Sequence, residues 1–246
     1  MKVLLVGGAG YVGHIVRPGL EADHEIYCFD RRPVEALGQR SFVGDVNDDT
    51  AIMHAVYGMD AIIYMALGAP PTESIKAIKK AEDIDLAFDV NVRGLYRFLA
   101  AGLKAGARKF INAGSLSVYH RIGHVVPIDE TVQPDAWDPY GISKRLGETL
   151  CAAAGQRYPH ATIITLRLML PRMEEDFDGS ALIRGGKKRT KRLYQTGPND
   201  VRRVFVAALN CYRPGAHVVQ AGGDVEGADY SNARVKELLG WKPQGN

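Results

Sequence analysis

The feature that most constrains the fold is a glycine cluster that directly follows a short apolar run near the N-terminus. Residues 3–13 read VLLVGGAGYVG, and the glycines Gly7, Gly10 and Gly13 have the spacing G-x-x-G-x-x-G. Between a strand and a helix, such glycines allow a tight turn and let the backbone approach a phosphate. The spacing alone also fits an ordinary glycine-rich turn, so the surrounding pattern decides between the two interpretations.

That pattern alternates short apolar segments with longer amphipathic ones. The apolar segments are rich in Val, Ile, Phe and Tyr and lack a polar face, which is typical of strands covered by helices on both sides. We predict strands at 2–6, 25–29, 61–66, 109–113 and 161–168, and helices at 11–22, 48–57, 83–106 and 139–157. This order predicts an α/β fold with a doubly wound parallel sheet of the Rossmann type.

After residue 170 the alternation weakens. We predict a basic, glycine-led loop at 185–192, a helix at 200–212, a strand at 216–223 and a short helix at 231–243. The division predicted from this change is a dinucleotide-binding domain over 1–168 and a small, shortened substrate-binding region over 169–246, packed on it as one compact unit.

Composition narrows the classes of function. A net charge of +3 over 246 residues gives no field that would favour nucleic acid. The three cysteines, Cys28, Cys151 and Cys211, are too scattered for a disulfide framework or a metal site. No apolar run is long enough to cross a membrane. We therefore expect a cytoplasmic protein with free thiols, no bound metal, and neither nucleic acid nor membrane as a partner.

An acidic residue ends the second predicted strand. Asp30 lies seventeen residues after Gly13, where a carboxylate accepts hydrogen bonds from the hydroxyls of an adenosine ribose and repels a 2′-phosphate. Arg31 and Arg32 follow at once, and an arginine there could hold that phosphate. The residues favour NAD and leave NADP as the less favoured alternative.

Three residues suggest acid–base chemistry. Tyr140 and Lys144 are four residues apart on a predicted helix and so share one face. A nearby ammonium favours the phenolate, so we expect Lys144 to lower the pKa of Tyr140 from about 10 and make the phenol a usable base. Ser115 lies just past a strand end and could bind the reacting oxygen. Taken singly, these residues also fit a surface pair and a capping serine.

Taken together, the motifs resemble the extended short-chain dehydrogenase/reductase family, also called the NAD-dependent epimerase/dehydratase family. The resemblance covers nearly the whole chain. The matching segments include GGAGYVG at 7–13, GDV at 44–46, ALG at 66–68, NVRG at 91–94, SLSVY at 115–119 and YGISK at 140–144.

The resemblance implies a role for each matching residue. Tyr140 would be the acid/base, Lys144 would hold the nicotinamide ribose, and Ser115 would position the reacting oxygen. The residues implied to bind the dinucleotide are Gly7, Gly10, Tyr11, Val12, Gly13, Asp30, Arg31, Asp45, Val46, Ala66, Leu67, Gly68, Asn91 and Lys144. In relatives, the helix with the Tyr–Lys pair and the helix before it form a bundle across a two-fold axis, so the resemblance also suggests a homodimer.

Departures from the family pattern concern the substrate. Leu116 and Ser117 stand where dehydratases carry an Asp–Glu pair, which argues against dehydration. LMLPR follows Arg167 in place of N-x-Y-G-P. Only 79 residues follow Arg167, a shortness that resembles the hexuronate dehydrogenases of the family. Ser117 and Arg172 are the candidate substrate contacts.

The basic stretch after residue 183 has two interpretations. It could attract a carboxylate or a diphosphate, or it could be a solvated loop. Its cationic residues are Arg184, Lys187, Lys188, Arg189, Lys191 and Arg192.

The sequence thus leads to one main hypothesis and two alternatives. The main hypothesis is an NAD-dependent oxidoreductase that moves hydride to or from a carbon of a sugar or sugar acid, with Tyr140 as the acid/base. The alternatives are a nucleotide-sugar epimerase and a dinucleotide-binding sensor without catalysis. The retained Tyr140 and Lys144 argue against the sensor.

Overall fold

The computed structural model describes residues 1–68, 80–120, 127–186 and 189–246, with side chains described outside 182–191. Seven strands form one sheet, and every pairing in it is parallel. They are β1 (Lys2–Val6), β2 (Glu25–Asp30), β3 (Ser41–Val43), β4 (Ala61–Tyr64), β5 (Lys109–Ser115), β6 (Thr162–Leu168) and β9 (Gly215–Ala221). Their spatial order is β3-β2-β1-β4-β5-β6-β9. The predicted doubly wound parallel sheet is confirmed.

Helices cover both faces of this sheet. They are α1 (Tyr11–Leu20), α2 (Asp49–Val56), α3 (Ala81–Phe88), α4 (Leu95–Lys104), α5 (Pro139–Arg157), α6 (Pro198–Asn210) and α7 (Ala233–Leu239). Alternate residues of β1 point to opposite layers. Val3 and Leu5 join the core under α1 and α6, while Leu4 and Val6 join the core under α2 and α4. Strands buried on both faces explain the unbroken apolar runs in the sequence.

Helix boundaries follow local sequence signals. α5 starts where predicted because the Asp138 carboxylate accepts a hydrogen bond from the Gly141 N–H at 2.9 Å and Pro139 occupies the first turn. The single helix predicted at 83–106 is instead three segments. α3 and α4 are separated by a wider π-helical turn, Asp89–Gly94, which the continuous apolar pattern did not reveal.

The C-terminal part differs from the prediction in one element. The backbone pairs as an antiparallel hairpin of β7 (Ala181–Gly186) and β8 (Arg189–Tyr194), where a basic loop was predicted at 185–192. Backbone hydrogen bonds hold such a hairpin whatever the side-chain polarity, so the charge run did not signal it. Lys187 and Lys188 lie outside the described residues, as do the side chains of Arg184, Arg189 and Lys191.

The same part also completes the main fold. β9 is the seventh strand of the sheet, and α6 packs beside α1. The predicted division at 168/169 stays a prediction, since residues on its C-terminal side belong to both the sheet and the separate hairpin. Among the described residues, no helix is long and apolar enough to span a bilayer.

One aromatic cluster provides a test of the core under α4. Phe98 is fully buried, with its ring 5.1 Å from Phe29 and 5.8 Å from Tyr64. We expect Phe98→Ala to lower the free energy of unfolding by about 3–5 kcal/mol, because it leaves a cavity that the packed sheet cannot close. Urea denaturation measures it. Met53→Ala on exposed α2 surface is the control and should change the value by less than about 0.5 kcal/mol. Equal losses in the two variants would contradict this packing.

Candidate active site

The glycine loop between β1 and α1 is built by two close backbone approaches. Gly7 has φ +83°, and a Cβ on it would lie 2.5 Å from the backbone nitrogen of Ala66. A Cβ on Gly13 would lie 2.7 Å from the carbonyl carbon of Gly8. Neither position tolerates a side chain, because both neighbouring atoms are backbone. The loop therefore presses against the end of β4 and against its own helix.

The start of α1 is open to an anion. Its N-cap residue is Gly10, which provides no side-chain cap. The first backbone N–H groups of the helix, at Tyr11, Val12 and Gly13, have no partner within the helix and point out of its N-terminus. Together with the positive end of the helix dipole, they match the pyrophosphate of a dinucleotide. The predicted G-x-x-G-x-x-G motif thus forms a cradle of bare backbone that fits such a group.

Asp30 lies beside this cradle. One carboxylate oxygen accepts a hydrogen bond from the Ala9 N–H at 3.1 Å, and the other accepts one from the Arg32 N–H at 3.1 Å. The Arg32 guanidinium bonds the Ala9 carbonyl and lies 3.9 Å from the Asp30 carboxylate. Arg31, the predicted contact, is exposed. The structure therefore brings Arg32, rather than Arg31, onto the loop.

Tyr11 reaches away from the glycine loop. Its hydroxyl donates to the Asp176 carboxylate at 2.8 Å and accepts from the Met173 N–H at 3.0 Å. The Arg172 side chain also hydrogen-bonds this hydroxyl, and the Nε of Arg172 is buried with no hydrogen-bond partner among the described residues. Tyr11 and Arg172, predicted for cofactor and substrate, thus meet at the start of α1.

Two further predicted cofactor segments follow strand ends. Asp45 accepts a hydrogen bond from the Asn47 N–H at 2.9 Å, and Val46 is buried against the π-helical turn. Ala66, Leu67 and Gly68 lie just past the end of β4, and the Leu67 side chain is exposed. Because β4 neighbours β1, these segments share the carboxyl edge of the sheet with the glycine loop, where open α/β sheets bind ligands.

Asn91 links this edge to α5. Its amide accepts from the Gly68 N–H at 3.0 Å and donates to the Gly68 carbonyl at 3.2 Å. It also donates to the Ser143 hydroxyl at 3.0 Å, and that hydroxyl donates to the Tyr140 carbonyl at 2.8 Å. The buried Asn91 therefore ties the loop after β4 to the helix that carries Tyr140. Ser143 is a member of this network that sequence analysis missed, since a helical serine gives no signal.

Ser115 and Ser117 lie in the turn that leads from β5 toward α5. The Ser115 hydroxyl accepts from the Ser117 N–H at 3.1 Å, which caps a short 3-10 turn. The Ser117 carbonyl is 2.6 Å from where a Cβ on Gly141 would lie. The turn and the first residues of α5 are therefore in close contact, which places Ser115 beside Tyr140.

Tyr140 and Lys144 are both buried, with 6% and 7% of their surfaces exposed. Burial raises the pKa of Tyr140 to about 12, while the hydrogen bond with Ser115 acts in the opposite direction. Burial lowers the pKa of Lys144 to about 8. The Lys144 Nζ donates to the Ala113 carbonyl at 3.0 Å and lies 5.7 Å from the centre of the Tyr140 ring.

The expected direction of the Tyr140 pKa was wrong. We predicted that Lys144 lowers the pKa of this phenol, but the loss of water around it raises the pKa instead. At neutral pH the phenol is therefore protonated in this arrangement. Sequence spacing placed the two residues on one helix face but gave no measure of their burial.

The altered segment after Arg167 has an unusual backbone. Leu170 has φ +41°, a left-handed conformation that bulky residues rarely adopt. Its carbonyl accepts from the Thr196 N–H at 3.0 Å, and Thr196 donates its hydroxyl to the Met169 carbonyl at 2.5 Å. The strain lies beside the carboxyl end of β6, and bonds from Thr196 hold it in place.

In the described part of the chain, no group of three or more His, Cys, Asp or Glu residues could hold a metal ion. The three cysteines are free and buried.

Comparison with known proteins gives the site its context. The model of a family described as "NAD dependent epimerase/dehydratase family" matches residues 3–184, more than half of the chain. A 3-beta-hydroxysteroid dehydrogenase from Mycolicibacterium neoaurum is 33% identical over 141 residues, which are 53% of this chain and 36% of that protein. The chain spans less than half the length of this relative and of two others, at 46% and 47%.

Another relative matches from end to end. An NAD-dependent glucose-6-phosphate dehydrogenase from Haloferax volcanii is 25% identical over 264 aligned positions, with 99% of this chain and 93% of that protein covered.

Solved structures share the fold. A short-chain dehydrogenase/reductase superfamily protein from Agrobacterium tumefaciens with bound NAD superposes with a TM-score of 0.82 at 22% identity, covering 99% of this chain and 93% of that one. A glucuronic acid dehydrogenase from Chromohalobacter salexigens superposes with a TM-score of 0.77 at 21% identity, covering 99% and 84%. The fold predicted from the motifs is therefore confirmed.

The glycine cradle predicts a difference between two glycines of positive φ. Gly7→Ala and Gly106→Ala both place a side chain in a left-handed conformation, which costs about 1–2 kcal/mol, but Gly106 (φ +104°) has open space around it. We expect NAD to raise the melting temperature of the parent and of Gly106→Ala. It should not change the melting temperature of Gly7→Ala, because Gly7 is part of the cradle and Gly106 is not. Equal NAD protection of both variants would place the dinucleotide elsewhere.

The buried ammonium predicts a pH-dependent stability. Below about pH 8 Lys144 is charged in both the folded and unfolded chain, and the folded state bears the full burial penalty. Between about pH 8 and 10.5 the folded chain releases its proton first, so stability rises with pH through this window. At about 1.4 kcal/mol per pKa unit, Lys144→Met should stabilise the protein at pH 7 by up to about 3 kcal/mol.

Urea denaturation at pH 7 and at pH 10 measures this gain. The gain from Lys144→Met should shrink at the higher pH, while exposed Lys104→Met should change stability little at either pH. An equal gain in stability from Lys144→Met at both pH values would contradict the lowered pKa of the buried ammonium.

Proposed function

The chain belongs to the NAD-dependent epimerase/dehydratase family, and from that premise we propose that it transfers hydride between NAD and a carbon of a sugar or sugar acid. One observation carries the proposal. Tyr140 and Lys144 are buried together beside Ser115, at the same sheet edge as the glycine cradle. β1 and β5 are separated only by β4, so the strand ends that lead into the cradle and to Ser115 lie about 10 Å apart, a span that an extended dinucleotide crosses.

The residues of the cradle fit NAD better than NADP. The N–H groups at the start of α1 would hold the pyrophosphate, and the Asp30 carboxylate would accept from the adenosine ribose. The Asp30 carboxylate would repel a 2′-phosphate at this position. Arg32, which could attract the phosphate, already contacts the Asp30 carboxylate and the Ala9 carbonyl. When bound, NAD supplies the carbon that accepts or donates hydride.

The remaining steps are proton transfers and positioning by this chain. With its pKa raised to about 12, Tyr140 is a proton donor at neutral pH and would protonate a carbonyl oxygen as it is reduced. For oxidation the phenol must first lose its proton, which the hydrogen bond from Ser115 favours. Lys144 uses one N–H on the Ala113 carbonyl and has two others to orient ribose hydroxyls.

Two observations support a sugar acid or sugar phosphate as substrate. The first is the Nε of Arg172, which is buried and has no hydrogen-bond partner within the described parts of the chain, a group suited to a carboxylate or phosphate oxygen. The second is the end-to-end match to a glucose-6-phosphate dehydrogenase, together with the shared fold of a glucuronic acid dehydrogenase. Ser117, on the turn next to Ser115, stays a proposed substrate contact.

Two alternatives use the same residues. A nucleotide-sugar epimerase would remove and return the hydride, so it would release no reduced cofactor. A sensor would bind NAD and turn over nothing, for which the buried acid–base pair has no use. Incubation with NAD and a panel of hexuronates, aldoses and sugar phosphates, followed by absorbance of the reduced cofactor, separates net oxidation from both.

We further propose that the protein acts in the cytoplasm as a homodimer. Free, buried cysteines are consistent with a reducing compartment. Tyr96 on α4 and Leu146 on α5 are exposed apolar residues on the two helices implicated by the resemblance. Light scattering of the purified protein would show the mass of one chain if this pairing is wrong.

Tyr140→Phe tests the proposed chemistry. The change removes the hydroxyl that donates and accepts the proton and keeps the ring in its buried position. We therefore expect kcat to fall about 10²–10⁴-fold. Protection against heat by NAD should persist, because the cradle is untouched. Exposed Tyr57→Phe is the matched control and should turn over like the parent. Undiminished turnover in Tyr140→Phe would remove the phenol from the reaction.

A further inference from the structure

A buried ion pair lies behind the catalytic helix, outside the set of residues assigned above. Arg167, near the end of β6, is 4% exposed. Its Nε is 2.7 Å from Glu148 Oε1 and its Nη2 is 2.8 Å from Glu148 Oε2, so the contact is bidentate. Its Nη1 donates to the Tyr119 hydroxyl, which in turn donates to the Asp129 carbonyl at 3.0 Å. We call Glu148, Arg167 and Tyr119 the arginine clamp.

The two ends of the clamp lie on the two elements that form the acid–base site. Glu148 follows Tyr140 by eight residues and Lys144 by four, so the three share one face of α5. Tyr119 ends the turn that begins at Ser115. Arg167 therefore bonds the helix that holds the phenol and the turn that holds the hydroxyl at the same time.

The packing around the clamp transmits small movements. β5 and β6 pair with Gly114 opposite Arg167, one residue before Ser115. At the start of α5, the Ser117 carbonyl and the Ala136 Cβ would each lie 2.6 Å from a Cβ on Gly141. With no free space at this contact, a rotation of α5 about its axis would move Tyr140 against Ser115 directly.

We propose that Arg167 is a positioning residue that sets the geometry between the Tyr140 and Ser115 hydroxyls through Glu148 and Tyr119. The proposal rests on the proposed function, since it assigns a purpose to the geometry of that site. Stability alone does not account for the pair, because apolar residues of similar size usually stabilise a core as well as a buried ion pair does. The planar guanidinium instead fixes orientation, since its fork binds a carboxylate in one plane.

Three variants separate geometry from charge and stability. Arg167→Lys keeps the charge and loses the fork. Glu148→Gln keeps the shape and loses the charge. The double variant Arg167→Met with Glu148→Met replaces the pair by apolar side chains, and the two single variants carry the test if it does not fold.

The matched control is Lys109→Met. Lys109 is a buried cation at the other end of β5, about 20 Å from Ser115, where it bonds the carbonyls of Leu209 and Cys211. Its replacement removes a buried cation of the same strand at a distance from the site, so it should leave the geometry of the site unchanged.

Steady-state kinetics of the NAD-loaded enzyme give the first readout. We expect kcat to fall about 10- to 100-fold in Arg167→Lys and in the double variant, with KM for NAD within about twofold of the parent. In both variants the kcat–pH profile should also shift to higher pH, because a misplaced Ser115 no longer favours the phenolate of Tyr140. Glu148→Gln, which keeps the shape of the fork's partner, should lose least. Lys109→Met should keep the parent's kcat and pH profile, whatever its melting temperature.

Arg167 variants that melt earlier but keep the parent's kcat and pH profile, as the control does, would overturn the proposal. They would show that the clamp stabilises the fold and does not position the site.

Carbon-13 NMR of labelled tyrosine gives a readout that needs no substrate. The Cζ resonance of Tyr140, assigned by its loss in Tyr140→Phe, reports the hydrogen bond to its hydroxyl at neutral pH. It should move in Arg167→Lys and stay in place in Lys109→Met. An unmoved resonance in Arg167→Lys would overturn the positioning role of the clamp, whether or not a substrate has been found. Failure of turnover with every sugar tested counts against the proposed function alone.

Discussion

Desolvation of a phenol and an ammonium at the end of one parallel strand is the constraint on which the rest of the structure depends. Burial raises the pKa of Tyr140 to about 12 and lowers that of Lys144 to about 8, because a low dielectric shifts both groups toward their neutral forms. At neutral pH the phenol is therefore neutral, while the ammonium keeps its charge at a cost. Such an arrangement is costly for a fold and persists only where surrounding groups determine it. Here the Ala113 carbonyl holds the ammonium and Ser115 holds the phenol.

The loop after β4 and the helix that carries Tyr140 and Lys144 are parts of one hydrogen-bonded unit. The side-chain amide of Asn91 bonds the Gly68 backbone and the Ser143 hydroxyl, so it joins the loop after β4 to α5. The π-helical turn lets Asn91 point inward while α3 and α4 continue on either side of it. On the other face, Tyr11 and Arg172 join the start of α1 to the segment after β6. The parallel sheet brings these distant segments to one edge.

Much of the fold could be predicted from the sequence, because strands buried on both faces and helices with one apolar face have different periods. The predicted strand at 2–6 and helix at 139–157 match the structure at both ends. The hairpin at 181–194 could not be predicted, since backbone pairing between charged residues has no apolar period. The π-helical turn was hidden because its residues continue the apolar pattern of the helices around it.

The candidate residues of the site could be named from the sequence, but their electrostatics could not. Glycine spacing and the Tyr-x-x-x-Lys spacing are local, so the sequence shows them directly. The choice of Arg32 over Arg31 on the loop depends on the direction in which the chain leaves β2. The direction of the Tyr140 pKa depends on burial by α3 and the Ser115 turn, which are far away in sequence.

The central claim is that one groove holds both the dinucleotide and the phenol. A crystal structure of the protein grown with NAD tests it most directly. We expect the pyrophosphate on the N–H groups of Tyr11, Val12 and Gly13, and the nicotinamide ring within contact of the Tyr140 hydroxyl. A dinucleotide bound elsewhere, or a nicotinamide ring with Tyr140 turned away from it, would contradict the account.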